Sequence, residues 1–267
     1  MVRLSNRLLA ITGASSGIGR AVALQAAQQG ARLALAARRL DRLRDLADQI
    51  EAAGRPRPLV VACDVRDAES VESLRQQVET MVGVPDILLV NAGRGAFRPL
   101  VELAPAEAAD VIATNLTGAV FCVRAFLPGM LVRGSGQVVF VSSVLGELPA
   151  PEHAVYGATK FALTGLAESL GYELGPRGIR VTLVAPGLVS SEFAQVSGTP
   201  LVRFRQVPHQ TPERVAATIL RAVQRRQRYC VADRFAAVAI AFRRHCPRLA
   251  HWVFARAIAR AYARHRG

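Results

Sequence analysis

Lysine is almost missing from this chain: of its 34 basic residues, 33 are arginine and one, Lys160, is lysine. A composition that takes arginine wherever a cation need only be solvated makes the one retained ammonium a candidate for chemistry, since a compact ammonium does what a planar guanidinium cannot. Metal-type and redox-type cysteine spacing is missing too. Cys63, Cys122, Cys230 and Cys246 are scattered along 267 residues, and a chain of that length buries a core without disulfides or a structural metal. They read as reduced thiols of a cytoplasmic protein, and no metal site is expected. No uncharged apolar run reaches the ~18 residues of a membrane-spanning helix. The first apolar run, Leu8 to Ile11, enters a glycine turn with no cleavage-type region, so no signal peptide is expected. Acids are few, 20 against 34 bases, for a net charge of +14. The excess is local, because residues 234–267 hold eight arginines and no Asp or Glu. That pattern describes a basic segment, and nucleic acid is not an expected partner.

What is present is a strict alternation. Apolar runs at Leu8–Thr12, Arg32–Ala36, Pro58–Ala62, Ile87–Asn91, Gln137–Val141, Arg180–Ala185 and Tyr229–Ala232 are separated by helical patterns. The helices are expected at Ile18–Gln29, Leu40–Ala53, Ala68–Met81, Pro105–Arg133, Val155–Gly175 and Pro212–Arg226. Strands that are apolar throughout, rather than on alternate positions, belong to a parallel sheet covered on both faces. The expected fold is α/β, a doubly wound Rossmann-type seven-stranded parallel sheet with helices on both faces, plus a C-terminal helical extension. Residues 1–232 form the main domain in this reading, and 233–267 extend it. Gly30 and Gly54 close the first two helices, and Thr211-Pro212 opens the sixth. The stretch 188–209, with Ser190, Ser191, Ser197, Gly198, Thr199 and Pro200, breaks the alternation and reads as a functional loop of the lid kind.

Thr12-Gly13-Ala14-Ser15-Ser16-Gly17-Ile18-Gly19 lies between the first strand and the first helix. Glycines there let the backbone turn tightly and approach a pyrophosphate, whose charge sits on the helix N–H groups. The spacing is G-x-x-x-G-x-G, and its placement is what points to a nucleotide. An NAD-type site places an acid near the end of the second strand to bind the ribose hydroxyls. This chain has Ala36-Ala37-Arg38-Arg39 instead, so nothing repels a 2′-phosphate and two guanidiniums can bind one. NADP(H) is the expected cofactor, ahead of NAD(H). Asp64, in Cys63-Asp64-Val65 after the third strand, can accept from the adenine amino group.

Tyr156 and Lys160 stand four apart at the start of a helix and so share a face. A nearby ammonium stabilises a phenolate and eases proton transfer through the phenol. Ser143, at the end of the fifth strand, can hold a substrate carbonyl beside the Tyr156 hydroxyl; Ser142 is its rival. With these motifs the chain resembles the short-chain dehydrogenase/reductase family over roughly residues 5–232, through Thr12–Gly19, Asn91-Ala92-Gly93, Asn115, Ser142-Ser143, Tyr156–Lys160 and Pro186-Gly187. The resemblance implies that Tyr156 is the acid/base and that Lys160 lowers its pKa and binds the nicotinamide ribose. It implies that Ser143 orients the carbonyl and Asn115 holds a water of the proton relay. Asn91, Ala92 and Gly93 would support the cofactor, while Pro186, Gly187, Val189 and Ser191 flank the nicotinamide. A homodimer or homotetramer, built partly on the 105–133 and 155–175 helices, is implied as well.

The activity expected is interconversion of a carbonyl and an alcohol, on a lipophilic substrate to judge from Ala96-Phe97 and Val144–Pro149. The alternative is an NADP(H)-binding regulatory or interaction protein that uses the basic tail as its contact surface. In the tail, Arg256, Arg260 and Arg264 recur at helical spacing, with Phe254, Ile258 and Tyr262 on a roughly opposite face and Trp252 nearby. That apolar face either packs on the protein or a second subunit, or lies on an anionic membrane surface as a peripheral contact.

Overall fold

The computed structural model describes residues 3–198 and 209–263, and for Ala194 and residues 261–263 the backbone alone. Seven parallel strands, β1 (Leu8–Thr12), β2 (Arg32–Ala37), β3 (Leu59–Ala62), β4 (Ile87–Val90), β5 (Gly136–Val141), β6 (Ile179–Ala185) and β7 (Tyr229–Val231), pair in the order β3-β2-β1-β4-β5-β6-β7. The chain therefore reverses its winding between β1 and β4. A crevice opens there beyond the carboxyl ends of both strands, the place where doubly wound sheets bind ligands.

The continuous apolar runs have a simple cause. Along β1, Leu9 and Ile11 face one layer and Leu8 and Ala10 the other. The first layer is made by α1 (Gly17–Gln28), α2 (Leu40–Ala52) and α8 (Pro212–Gln224). The second is made by α3 (Ala68–Met81), α5 (Gly118–Arg133) and α6 (Ala154–Leu174). Both faces of the sheet are dry, so a strand has no solvent side on which to place polar residues. Left-handed Gly30 and Gly54 follow α1 and α2. At α8 the Thr211 hydroxyl accepts from the Arg214 N–H, with Pro212 as first helical residue.

The expected single helix over 105–133 is divided. It runs as α4 (Pro105–Ile112), a π-helical turn at Ala113–Thr117, and α5. By length and composition it could cross a bilayer, with a mean hydropathy of 1.5 over its best 18 residues. Its Cys122, Val123, Phe126 and Met130, however, are buried in the second layer, where a core helix belongs. The stretch 188–209 is pinned at its base by a bridge between Val189 and Gln210 and holds a short helix, α7 (Glu192–Val196). Residues 199–208, with Thr199 and Pro200, lie outside the described residues.

The tail folds as α9 (Arg234–His245) and α10 (Pro247–Ala263). The Asp233 side chain caps α9, accepting from the Ala236 N–H at 2.9 Å. Phe254 and Ile258 turn inward, Phe254 meeting Phe242 of α9 edge to face. Of the apolar face expected on α10, Phe254 is thus used in packing within the tail and Ile258 is half-buried; the Tyr262 side chain and Arg264 lie outside the described residues. Leu249, Trp252 and Val253 stay exposed, among Arg248, Arg256 and Arg260 on the outward side, and the Arg256 guanidinium stacks 4.0 Å from the Trp252 ring centre.

Candidate active site

At the switch point, the turn after β1 is built for close approach. Gly13 has φ +67°, and a Cβ there would stand 2.8 Å from the Ala92 Cα. A Cβ on Gly19 would stand 2.4 Å from the Gly13 carbonyl oxygen. Only glycine fits either position. The Asn91 amide donates to the carbonyls of Thr12 and Gly13 at 3.0 and 3.1 Å, and the Thr12 hydroxyl accepts from the N–H groups of Asn91 and Ala92. The ends of β1 and β4 are thereby sewn together. Ser16 sits at the N-cap of α1 without capping it, and the first turn of the helix, which holds Ile18, has no acid. These N–H groups meet no side-chain acceptor, the condition an incoming phosphate requires. The residues present fit a dinucleotide.

Arg39 crosses this turn. Its guanidinium donates to the Ser15 and Ser16 hydroxyls at 3.1 and 3.0 Å and pairs with Glu192 at 2.6 Å. Arg38 is exposed at the end of β2, close enough to Asp64 to help lower its carboxyl pKa. The chief cause of that lowering is Arg66, whose Nε donates to both Asp64 carboxylate oxygens at 3.0 Å. Arg66 also pairs with Asp110, which pairs with Arg94. Asp64 is therefore tied into an ionic chain around an open cleft of about 980 Å³. Sequence reasoning missed this chain, whose members come from the turn after β3 (Asp64, Arg66), the segment after β4 (Arg94) and α4 (Asp110), with no shared spacing. Val65 is buried against Gly118, where a Cβ would come within 2.8 Å of it.

The groups expected to handle the proton gather at the ends of β4 and β5. Tyr156 and Lys160 are 7% and 4% exposed, on the first turns of α6. The Lys160 ammonium donates to the Val141 carbonyl at 3.0 Å and lies 5.6 Å from the centre of the Tyr156 ring. Burial pushes the Tyr156 phenol up to about 12, against a hydrogen bond with Ser143 that lowers it. Burial also brings the Lys160 ammonium down to about 8. The two serines part ways: Ser142 donates to the Lys160 carbonyl from inside the core, while Ser143 faces Tyr156 and accepts from the Leu145 N–H. Asn115 comes from the π turn, a distortion often found at functional positions. Its amide grips the Arg94 backbone at both N–H and C=O and donates to Thr159, which donates to the Tyr156 carbonyl. A Cβ at Gly93 would lie 3.5 Å from the Asn115 Oδ1 and 3.9 Å from the Lys160 Nζ, so that glycine leaves these two groups facing a shared space.

An apolar wall surrounds the phenol. Tyr156, Ala96 and Val111 pack with Leu103, Leu145 and Val155. Phe97, His153 and Phe193 close it, with ring centres 4.4 Å apart for Phe97–His153 and 5.8 Å for Tyr156–Phe193. Burial holds His153 below its usual pKa. His153 and Phe193 were not foreseen, since neither sits in a periodic pattern; an aromatic just beyond Ser191 was the available hint. The Pro186 carbonyl accepts from the Val144 N–H beside Ser143, the Gly187 N–H donates to the Gln210 side chain, and Ser191 approaches Gly17. The segment 186–191 thus runs along the open edge between the turn and Tyr156.

A family model described as short chain dehydrogenase matches residues 7–200. An uncharacterized oxidoreductase of Myxococcus xanthus is 36% identical over 222 residues, covering 83% of this chain and 87% of that protein. The 3-oxoacyl-(acyl-carrier-protein) reductase FabG of Staphylococcus aureus is 35% identical over 207 residues, covering 73% of this chain and 84% of its own. Among solved structures, a short chain dehydrogenase/reductase of Burkholderia phymatum in complex with NAD superposes with a TM-score of 0.84 at 27% identity, over 93% of this chain and 96% of that one. An alcohol dehydrogenase of Thermococcus sibiricus complexed with 5-hydroxy-NADP gives 0.76 at 30% identity, over 85% and 95%.

Proposed function

The chain belongs to the short-chain dehydrogenase/reductase family, and on that premise we propose that it interconverts a carbonyl and an alcohol with NADP(H). One observation carries the reading: a phenol, a hydroxyl and an ammonium meet inside an apolar wall beside a glycine turn that is open to a phosphate. When bound, the nicotinamide supplies or takes the hydride. The chain's own residues handle the proton. Ser143 donates to the carbonyl oxygen and positions it against Tyr156, which gives up its proton as the alcohol forms. Lys160 places its positive charge against the developing phenolate and binds the cofactor ribose, and Asn115 holds the relay water in the space that Gly93 leaves open. At neutral pH the phenol is protonated and the ammonium charged, the forms needed to reduce a carbonyl. The aromatic wall favours a lipophilic substrate.

The phosphorylated cofactor is supported by the missing acid at the end of β2 and by Arg38 and Arg39. A panel of ketones and aldehydes with NADPH and NADH, followed by absorbance of the reduced cofactor, tests both halves. The wild type turns over at least one carbonyl faster with NADPH, and Tyr156→Phe loses roughly 10²–10⁴-fold. Full activity in Tyr156→Phe would end the mechanism. Faster turnover with NADH, unchanged in an Arg38→Ala/Arg39→Ala double variant, would reverse the cofactor preference.

A further inference from the structure

The one-turn helix α7 is fastened at both ends to parts of the site that have different duties. At its start, Glu192 presents one carboxylate oxygen to Arg39 and the other to Arg42, each at 2.6 Å. Both arginines flank the phosphate turn, and Arg39 also holds the Ser15 and Ser16 hydroxyls. At its far end, the Phe97 N–H donates to the Ser197 carbonyl at 2.7 Å. Between the two fastenings Phe193 lies against the Tyr156 ring and against Phe97.

Two guanidiniums forked on one pair of oxygens is how a phosphate is held, and a carboxylate in that place copies half of it. We propose that Glu192 is an internal substitute for the 2′-phosphate of the cofactor, and that a phosphorylated cofactor displaces it and frees Phe193 from Tyr156. The inference rests on the NADP(H) reading and deepens it, making Glu192 a specificity-determining residue. Its position explains why the catalytic phenol is sealed. Arg39 and Arg42 together hold the Glu192 carboxyl below its usual range, so it is anionic wherever a phosphate would compete with it. All three side chains are about one-third to one-half exposed. Ion pairs of that kind are weak and exchange readily, and a phosphate brings more charge and more acceptors to the same two arginines. A cofactor lacking the 2′-phosphate has nothing to offer them, and α7 stays over Tyr156.

Calorimetric titration of the full chain with adenosine 2′,5′-bisphosphate and with adenosine 5′-diphosphate compares equal numbers of phosphates in different places. Glu192→Gln keeps the shape and removes the charge. It should bind the 2′,5′-bisphosphate about tenfold more tightly than the wild type, as removal of a closed competing state requires, and the 5′-diphosphate unchanged. Hydrogen exchange supplies the second readout. The Phe97 amide should lose protection in the wild type with the 2′,5′-bisphosphate but not with the 5′-diphosphate, and should already be unprotected in Glu192→Gln. Weaker or equal binding of the 2′,5′-bisphosphate by Glu192→Gln, or an unchanged Phe97 amide, overturns the substitution. If the wild type does not prefer the 2′,5′-bisphosphate at all, the NADP(H) reading falls together with it. A preference that persists while Glu192→Gln behaves as wild type sinks the role of Glu192 alone.

Discussion

A single ammonium in a chain of guanidiniums was the most legible residue in the sequence, and its surroundings give it a measurable signature. Lys160 is taken from 10.5 to about 8 by burial. Between those values the unfolded chain holds a proton that the folded chain has released, so stability rises with pH from about 8 to about 10.5. Tyr156 acts in the opposite sense and at higher pH. Its phenol, raised from 10.0 to about 12, stays protonated in the fold after the unfolded chain has lost its proton, so stability falls between about pH 10 and 12. Thermal midpoints measured across pH 7–10 should rise for the wild type relative to Lys160→Met, and a constant difference between the two would refute the assignment. Ser143 against Ser142 was less legible. Both follow the end of β5, where the spacing to Tyr156 favours Ser143, and the alternation of an extended chain turns one into the core and the other toward Tyr156.

Elements were legible where hydrophobic period is strong and illegible where packing decides. The seven strands and the glycine stops of α1 and α2 could be read because parallel strands buried on both faces are apolar at every position. The π turn at Ala113–Thr117 could not, since one extra residue in a turn barely disturbs the apolar period of a helix that is apolar nearly all round; it is the element that delivers Asn115. In the tail, spacing identified an amphipathic helix and its apolar side but not what would cover that side. Phe254 and Ile258 went inward, and the outward side of α10 combines Trp252, Leu249 and Val253 with three arginines. We propose that this outward side rests on an anionic lipid surface, where an indole and guanidiniums each find a partner. In flotation with phosphatidylglycerol vesicles the full chain should rise, and a Trp252→Ser/Arg256→Glu/Arg260→Glu variant should stay below. Equal behaviour would return α10 to solvent.

For the whole molecule, the tail proves joined to the segment after β5 that also carries Leu145 of the wall around Tyr156. Glu147, 8% exposed in the segment after β5, receives Arg244 at 2.7 Å on its carboxylate and Arg243 on its backbone carbonyl. Asp233 lies against Gly187, where a Cβ would come within 3.0 Å of its carboxylate, and Ala236 and Ile240 are buried. Removing residues 234–267 strands the Glu147 carboxylate, at about 1–3 kcal/mol, and takes the buried Ala236 and Ile240 out of the packing. A chain ending at Asp233 should melt at least roughly 5 °C lower and lose turnover, whereas one ending at Cys246, which keeps α9, should retain both. Equal melting of all three would make 233–267 a separate appendage. The seven-stranded architecture was predictable from composition and alternation. This joint was not, because it depends on where two arginines fall relative to one glutamate 96 and 97 positions away.

The seclusion of Lys160 has one more consequence, for chemical labelling. No other side chain in the sequence ends in a primary amine, and this one is buried against the Val141 carbonyl. An amine-directed acylating reagent therefore meets the α-amine and, when the wall opens, a single ε-amine whose lowered pKa makes it more reactive than a surface lysine. The mass gained by the peptide that carries residue 160, followed over time, counts the openings of the site without any substrate in hand.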